Sequence, residues 1–454
     1  LQIAEETLWA RRDGKGNVRY LKTGQSGAPR RNDVEIKKGD VYFSQSPGDR
    51  KATGTYYTPE YIVDYIVRQT VGRGLTERRA SLKQEVDRWR GELAGALSSS
   101  EQARMRRTAD DALLRFVEEQ VLTYRVCDPA MGSGHFLVNA THQITNFIVE
   151  TLHLVPWASD AVNADPITWR RHVVEHCVYG VDISLMAVEL AKLSLWLTSI
   201  AQGKPLSFLD HHLRCGNSLI GARLEDLAEV LVEADPARRS RQLVKRLGPC
   251  QLSMLDHPAF AQHLNTATNL LTKISARVAE TVEDVKTQEA DYDQVRAELQ
   301  PYRQMADLWT AQHFGLNVSN RKLIELAANL VDRGEAAAPK AGQYMAQALE
   351  IAEERSIFHW ELEFATTFLG RFQGYTPGFD AVIGNPPYSA AISSNDREYL
   401  GTFFPVTGSG YKNLALHFIE QGLYLSAERF GFIVPKSITY SEGWRSGAEF
   451  VWPS

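Results

Sequence analysis

The chain is poor in cysteine, has no strong charge bias and lacks long apolar runs. Its 454 residues include only four cysteines, Cys127, Cys177, Cys215 and Cys250, and no Cys-x-x-Cys pair. Such spacing argues against a zinc site and against a secreted disulfide framework, and it fits a reducing, cytoplasmic compartment. With no stretch of about 18 apolar residues and no charged-then-apolar leader, nothing reads as a membrane span or signal peptide. A net charge of −5 leaves no global footprint for nucleic acid, so a polyanionic partner has to be met by local basic patches. What remains is an ordinary globular composition, 44% hydrophobic and 23% charged, in a chain long enough for about three domains.

The first residue is Leu1 rather than Met, and LQIAEETLWARR reads as an amphipathic helix entered midway, as in a fragment. Residues 1–50 add Gly-containing hairpin-like pieces such as RRDGKGNVRYLKTG and read as an appendage. From 51 to 221 the pattern becomes alternating. Ile62, Val63, Ile66 and Val67 recur at helical spacing, with Gly72 and Gly74 ending that helix, and a charged helical stretch follows to about 120. YRVCDPAM then predicts a strand, about 134–152 a helix, CVYGVDIS a strand and 184–201 a helix. Strands separated by helices of this length predict a parallel sheet covered on both faces. Residues 222–372 read as nearly pure helix. Within them Leu271, Ile274, Val278, Thr281, Val285, Gln288, Tyr292, Val295 and Leu299 follow a heptad seam, which predicts a coiled-coil arm or helical hairpin. The sheet pattern resumes over 373–454 with FDAVIGNPPY and RFGFIVPKSI, so the helical block is an insertion within one α/β domain.

Three stretches carry chemistry. In VCDPAMGSGHFL an acidic residue ends a strand and a Gly-Ser-Gly turn opens a helix, whose first N–H groups are free for a ligand. It matches neither the GxGxxG fingerprint nor a Walker loop, and a tight turn explains it equally well. In YGVDIS a strand ends on Asp182, placed either to accept both hydroxyls of a ribose or to begin a helix. In DAVIGNPPYSA a strand runs into Asn385, Pro386, Pro387 and Tyr388. An amide and a prolyl carbonyl give two acceptors on a stiff loop beside an aromatic ring, which suits a planar ligand bearing an amino group; a Pro-rich turn at the sheet edge is the plain alternative.

In this order, GTYYTPEYIVDYIV, DPAMGSGHF, GVDIS, CGNSLIG, NPPY, NLALHFIEQGLYL and GFIVPKSI together resemble the γ class of amino-group DNA methyltransferases. The likeness is to the large adenine-N6 enzymes of type IIG restriction–modification and of the BREX and DISARM phage-defence systems, and it spans about 54–438. It implies a Rossmann-like α/β fold with a large α-helical insertion, S-adenosylmethionine as cofactor, no metal, and double-stranded DNA as substrate. It also implies roles for single residues. Tyr57 and Thr58 border the cofactor's methionine end, while Asp128, Ala130, Gly132 and Gly134 cradle it. Asp182 holds the ribose, Ile183 lies on the adenine ring, and Asn217 stands where many relatives have an Asp that meets the adenine amine. Asn385 and the Pro386 carbonyl accept from the target amine, Pro387 keeps the loop stiff, and Tyr388 stacks on the extruded base. No full target-recognition domain fits after the core, so sequence reading falls to a C-terminal region or a partner subunit.

Weaker candidates are RRSRQLVKR (238–246) as a phosphate contact or solvated face, and His172 and His176 at i, i+4 on what reads as a surface helix. Glu35 and Lys37 share the Glu-x-Lys spacing of many nucleases but also suit an exposed strand. Two other functions stay open: methylation of RNA adenine or of protein glutamine, which also uses an Asn-Pro-Pro-Tyr loop, and a non-catalytic cofactor-binding subunit.

Overall fold

A computed structural model of the chain describes residues 58–95, 98–155, 165–227, 258–319, 322–323, 325–326, 339–369, 377–388, 393–404, 407 and 414–436, and the backbone of five short strands in residues 2–42. It divides into two compact units, 1–57 with 389–391, and 58–388 with 392–454.

The first unit contains β1 (Gln2–Ile3), β2 (Leu8–Arg12), β3 (Val18–Lys22), β4 (Val34–Ile36) and β5 (Val41–Tyr42). β2 is the middle strand of an antiparallel sheet with β3 and β4, and β1 pairs with β5. The amphipathic helix expected at the start is therefore a strand. Trp9 lies opposite Leu21 and Ala10 opposite Tyr20, and such cross-strand pairing outweighs a helical pattern only a few residues long. Glu35 falls within β4, opposite Trp9.

In the second unit α1 (Glu60–Val67) continues through a π-helical turn, Arg68–Gly72, into Arg73–Arg78. Gly72 and Gly74 thus lie inside this helical run and do not end it. At Gly74 the requirement is room, since a Cβ there would stand 2.2 Å from the Tyr124 hydroxyl. The helices α2 (Ala80–Gly95) and α3 (Ser99–Phe116) lead to β6 (Val126–Asp128), followed by α4 (His135–Leu152), α5 (Pro166–His176), β7 (Val178–Asp182), α6 (Leu185–Ser199) and β8 (Leu213–Cys215). After α7 (Pro258–Ala276), α8 (Val282–Gln312) and α9 (Pro339–Arg355) come β9 (Phe379–Gly384), α10 (Ser394–Phe403), α11 (Leu414–Leu425) and β10 (Ser426–Phe432).

These last five strands form one parallel sheet in the order β10-β9-β6-β7-β8. The fold is the parallel sheet covered on both faces that the alternation predicts, in the Rossmann-like α/β arrangement that the resemblance implies. Its central strands are apolar on both faces because helices cover both. Cys127, Tyr179, Val181, Phe379 and Val382 enter one core; Val126, Val178, Ala381 and Ile383 enter the other.

The helical insertion belongs to the first of these cores. Leu271 and Ile274 of α7 and Tyr292, Val295 and Leu299 of α8 are buried together with Tyr179 and Phe379 of the sheet. The heptad-spaced seam is cut where Thr281 caps α8: its hydroxyl accepts the Asp284 N–H at 3.2 Å, and Asp284 accepts the Thr281 N–H at 2.9 Å. A hairpin seated on the sheet results, because one face of β7 and β9 has to be covered. The basic stretch 238–246 lies outside the described residues.

Burial lowers His172 of α5 to about 4 and His211, just before β8, to about 3, and it holds His212 well below the usual histidine value. His172 and His176 stack at 6.0 Å on α5 and are half-buried, not on the open helix face expected of them. No group of three or more metal-ligating side chains occurs among the described residues. Neither ring nitrogen of His211 has a protein partner, although Phe208 stacks on the ring at 5.4 Å. Below pH 6.5 the unfolded chain takes up a proton that folded His211 refuses, so its contribution turns against folding from there down to about pH 3. His211→Phe is expected to be more stable than wild type by about 1 kcal/mol at pH 8. The gain should grow by about 1.4 kcal/mol for each pH unit below 6.5. Urea unfolding at pH 8 and 5.5 checks this; a gain that does not widen at the lower pH contradicts it.

Candidate active site

All the strand ends that matter lie on one edge. β6 ends at Asp128 and β7 at Asp182; Asn217 follows β8 by two residues, and Asn385 follows β9 directly. The chain leaves β6 toward β7 on one side and returns in β9 on the other, so strand order reverses between β6 and β9. A parallel sheet splays its connections apart at such a point, which opens a crevice beyond the carboxyl ends of its strands.

The loop after β6 is fixed by the two carboxylates. Asp128 Oδ1 accepts the Ala130 N–H at 3.0 Å, and Asp182 Oδ2 accepts the Gly132 N–H at 2.9 Å. Asp182 Oδ1 takes the Ser184 N–H at 2.9 Å, so this carboxylate links the β6 loop to the start of α6. Gly132 has φ +54°, and a Cβ there would meet nothing within 4 Å, so the loop borders open space. Gly134 caps α4. Ile183 beside Asp182 is an apolar side chain left 59% exposed. Burial, opposed in part by the Ala130 N–H, raises Asp128 to about 8, with the nearby Asp182 adding to the shift. Asp182 is also raised by burial, with its two N–H bonds opposing. Asn217 closes a turn on the Leu219 N–H at 3.1 Å, and the next residue, Ser218, donates to the Pro129 carbonyl at 2.5 Å, which ties the β8 loop to the β6 loop.

The third element approaches closely. Gly384, the last residue of β9, would place a Cβ 2.6 Å from Asp128 Oδ1, so only the missing side chain lets that carboxyl group lie against the strand end. Next to it the Asn385 amide is held at both ends. Its Nδ2 donates to Thr58 Oγ1 at 2.9 Å, and its Oδ1 accepts from the Tyr388 hydroxyl. That hydroxyl also stands 3.2 Å from the Ile433 carbonyl just beyond β10. Pro386 is buried, whereas Asn385, Pro387 and Tyr388 are half-buried. The carboxyl edge of the sheet therefore brings together Thr58, Asp128, Ala130, Gly132, Asp182 and Asn385, all singled out from sequence; Tyr57 lies outside the described residues. Sequence reasoning missed Gly384, Ser218 and the Ile433 carbonyl. A Gly immediately before the Asn was the available signal for the first, while the other two had none.

A parallel sheet with a switch point, an acidic residue at the end of each of its first two strands and an acceptor loop at the fourth form a cradle of the kind in which open α/β sheets bind nucleoside-bearing ligands. The residues of this cradle fit one: a backbone loop beside open space, a carboxylate at the second strand end and an exposed apolar side chain next to it. Residues 176–451 match the model of the Eco57I restriction-modification methylase, and residues 100–208 match the DNA-methyltransferase domain of MmeI. The chain belongs to the Eco57I restriction-modification methylase family and is a methyltransferase of the restriction–modification type. A protein of Methanocaldococcus jannaschii named as a type II restriction enzyme and methyltransferase is 24% identical over 437 residues, which is 86% of this chain and 32% of the relative. The chain thus spans about a third of that relative's length.

Proposed function

We propose that the chain moves a methyl group from S-adenosylmethionine to the N6 amine of an adenine turned out of duplex DNA. The observation that carries this reading is the Asn385 amide at the end of β9, beside Asp128 and on the same sheet edge as Asp182. When bound, the cofactor supplies an electrophilic methyl group on a cationic sulfur. Asp182 and Ile183 would hold its nucleoside end, and Asp128, Ala130, Gly132, Gly134 and the 57–58 segment would hold the rest, with Asn217 at the adenine. A cationic ligand held near Asp128 would favour the ionised form of a carboxyl group that burial otherwise raises to about 8.

The chemistry asked of the protein is mainly positioning. An adenine amine is a weak nucleophile because its lone pair is delocalised into the ring. Acceptors at Asn385 Oδ1 and the Pro386 carbonyl would take its two hydrogens and turn the lone pair toward the methyl carbon. As the methyl carbon exchanged its bond to sulfur for one to N6, leaving a neutral thioether, the amine would become positive, and the same acceptors would stabilise that charge until one proton was lost to water. Two prolines lack backbone N–H groups and have fixed φ, so the loop holds its shape before the base arrives. Tyr388 offers a ring to replace lost base stacking. Family membership supports DNA over RNA or protein, and over a non-catalytic role. A recognition region outside this chain or in a partner subunit would supply the sequence reading, in self-marking or phage defence.

Tritium transfer from labelled S-adenosylmethionine into separate DNA, RNA and protein pools tests the reading. Label is expected in duplex DNA as N6-methyladenine. Recovery in RNA or protein would replace the substrate, and cofactor binding without label in any pool would leave a binding subunit.

A further inference from the structure

We propose that Thr58 is a positioning residue for the transfer: its hydroxyl oxygen accepts from the amino half of the Asn385 amide and so anchors that side chain with its oxygen half left for the substrate amine. This rests on the reading above and goes beyond the cofactor contact that resemblance gives Thr58.

The two halves of an asparagine amide have almost the same shape, and only hydrogen bonds decide which one faces a ligand. An amide turned by half a rotation would meet the base amine donor to donor, and the acceptor on which the chemistry depends would point away. Within the loop itself the Tyr388 hydroxyl is what reaches the amide, because the two residues after Asn385 are prolines without N–H groups. Two contacts hold the amide in this structure, from Thr58 Oγ1 at 2.9 Å and from the Tyr388 hydroxyl. The Thr58 bond is made by the amino half alone, so it leaves the two lone pairs of Asn385 Oδ1 to the Tyr388 hydroxyl and a substrate amine. Thr58 is also suited by its setting: it is 7% exposed and sits at the start of α1, directly before Pro59. The anchor for the catalytic loop thus comes from 327 residues earlier in the chain.

The test compares Thr58→Val, which keeps the shape and removes the oxygen, with Thr58→Ser, which keeps the oxygen. For both variants and wild type we would measure single-turnover methylation of plasmid DNA from a methylation-deficient host, S-adenosylmethionine affinity by calorimetry, and thermal unfolding. Thr58→Val is expected to slow the methyl-transfer step at least about tenfold, the factor carried by one neutral hydrogen bond. Any loss of cofactor affinity should be smaller than the loss of rate measured at saturating cofactor, and Thr58→Ser should regain most of the rate. A second readout needs no turnover. In 15N-asparagine-labelled protein, the Asn385 side-chain NH2 pair, assigned by its loss in Asn385→Ala, should exchange with solvent faster in Thr58→Val than in wild type. Wild-type speed in Thr58→Val overturns the proposal. So does a rate loss that follows cofactor affinity and is not rescued by serine, since Thr58 would then act on the cofactor alone. If wild type makes no N6-methyladenine, the functional reading falls and this assignment with it; if wild type labels adenine and Thr58→Val does so equally fast, only this assignment falls.

Discussion

Gly384→Ala is expected to destabilise the protein by about 1–3 kcal/mol, the range for forcing an extra methyl group into a packed interior, and to cut methyl transfer about a hundredfold. The added carbon would lie 2.6 Å from Asp128 Oδ1 and 3.2 Å from its Cγ, well inside contact distance. Neither side can yield cheaply. Asp128 ends the central strand, is 1% exposed and is bound to the Ala130 N–H. Gly384 is held through its carbonyl, which accepts the Ile433 N–H at 3.0 Å. Either the carboxyl group moves and the β6 loop shifts with it, or β9 backs away and takes Asn385 along. A displacement near 1 Å at a reacting group typically costs about a hundredfold in rate. Gly132→Ala is the control of opposite character, because its Cβ would enter open space. It should cost only about 1 kcal/mol of backbone strain at φ +54°, and weaken cofactor binding through occupancy of the cradle. Urea unfolding and calorimetry with S-adenosylmethionine separate the two variants. A Gly384→Ala protein of wild-type stability and rate would show that the approach of Asp128 to β9 does not matter.

Much of this architecture was legible along the chain because its signals are local. β6, β7 and β9 are apolar runs with a polar residue at their carboxyl ends, and α4 and α6 follow two of them at the lengths a crossover needs. Period and spacing alone therefore gave the parallel sheet. The same local character explains the errors. Leu8–Arg12 is a strand because Val18–Lys22 pairs with it, a fact that does not reside in the segment itself. Gly72 and Gly74 look like helix stops, yet an interior glycine also answers a demand for space, here from Tyr124, which is fifty residues away from Gly74. Of the two forms that the heptad spacing allows, a coiled-coil arm or a helical hairpin, the hairpin is present, and what the spacing does not carry is the break at the capping Thr281 and the sheet face that decides where the two helices lie. In the candidate site, residue types and order placed Asp128, Asp182 and Asn385 at one edge. Their mutual contacts were beyond reach: the Gly132 N–H bond to Asp182 and the Thr58 bond to Asn385 depend on how the strands sit side by side.

The second large effect is expected at Asn385 itself, where alanine and aspartate should behave differently. Asn385→Ala removes the acceptor while leaving Asp182 and its two N–H bonds in place. Methyl transfer should therefore fall by about a thousandfold or more, on the scale of losing one preorganised partner of developing charge, with S-adenosylmethionine affinity within a fewfold of wild type. Folding should suffer little, since the Tyr388 hydroxyl keeps the Ile433 carbonyl at 3.2 Å as a partner. Asn385→Asp retains two acceptor oxygens of nearly the same shape and adds negative charge where the amine becomes positive. The Thr58 hydroxyl can reverse its role and donate to the carboxylate. Half-burial makes that charge less stable than in water, which limits the gain. Aspartate should therefore keep a measurable rate, roughly ten- to a hundredfold below wild type, an order of magnitude or more above alanine. Single-turnover transfer with saturating cofactor gives the three rates directly. Equal loss in both variants would mean that the amino half of Asn385, and not its oxygen, is what the reaction requires; alanine at near wild-type speed would remove Asn385 from the chemistry altogether.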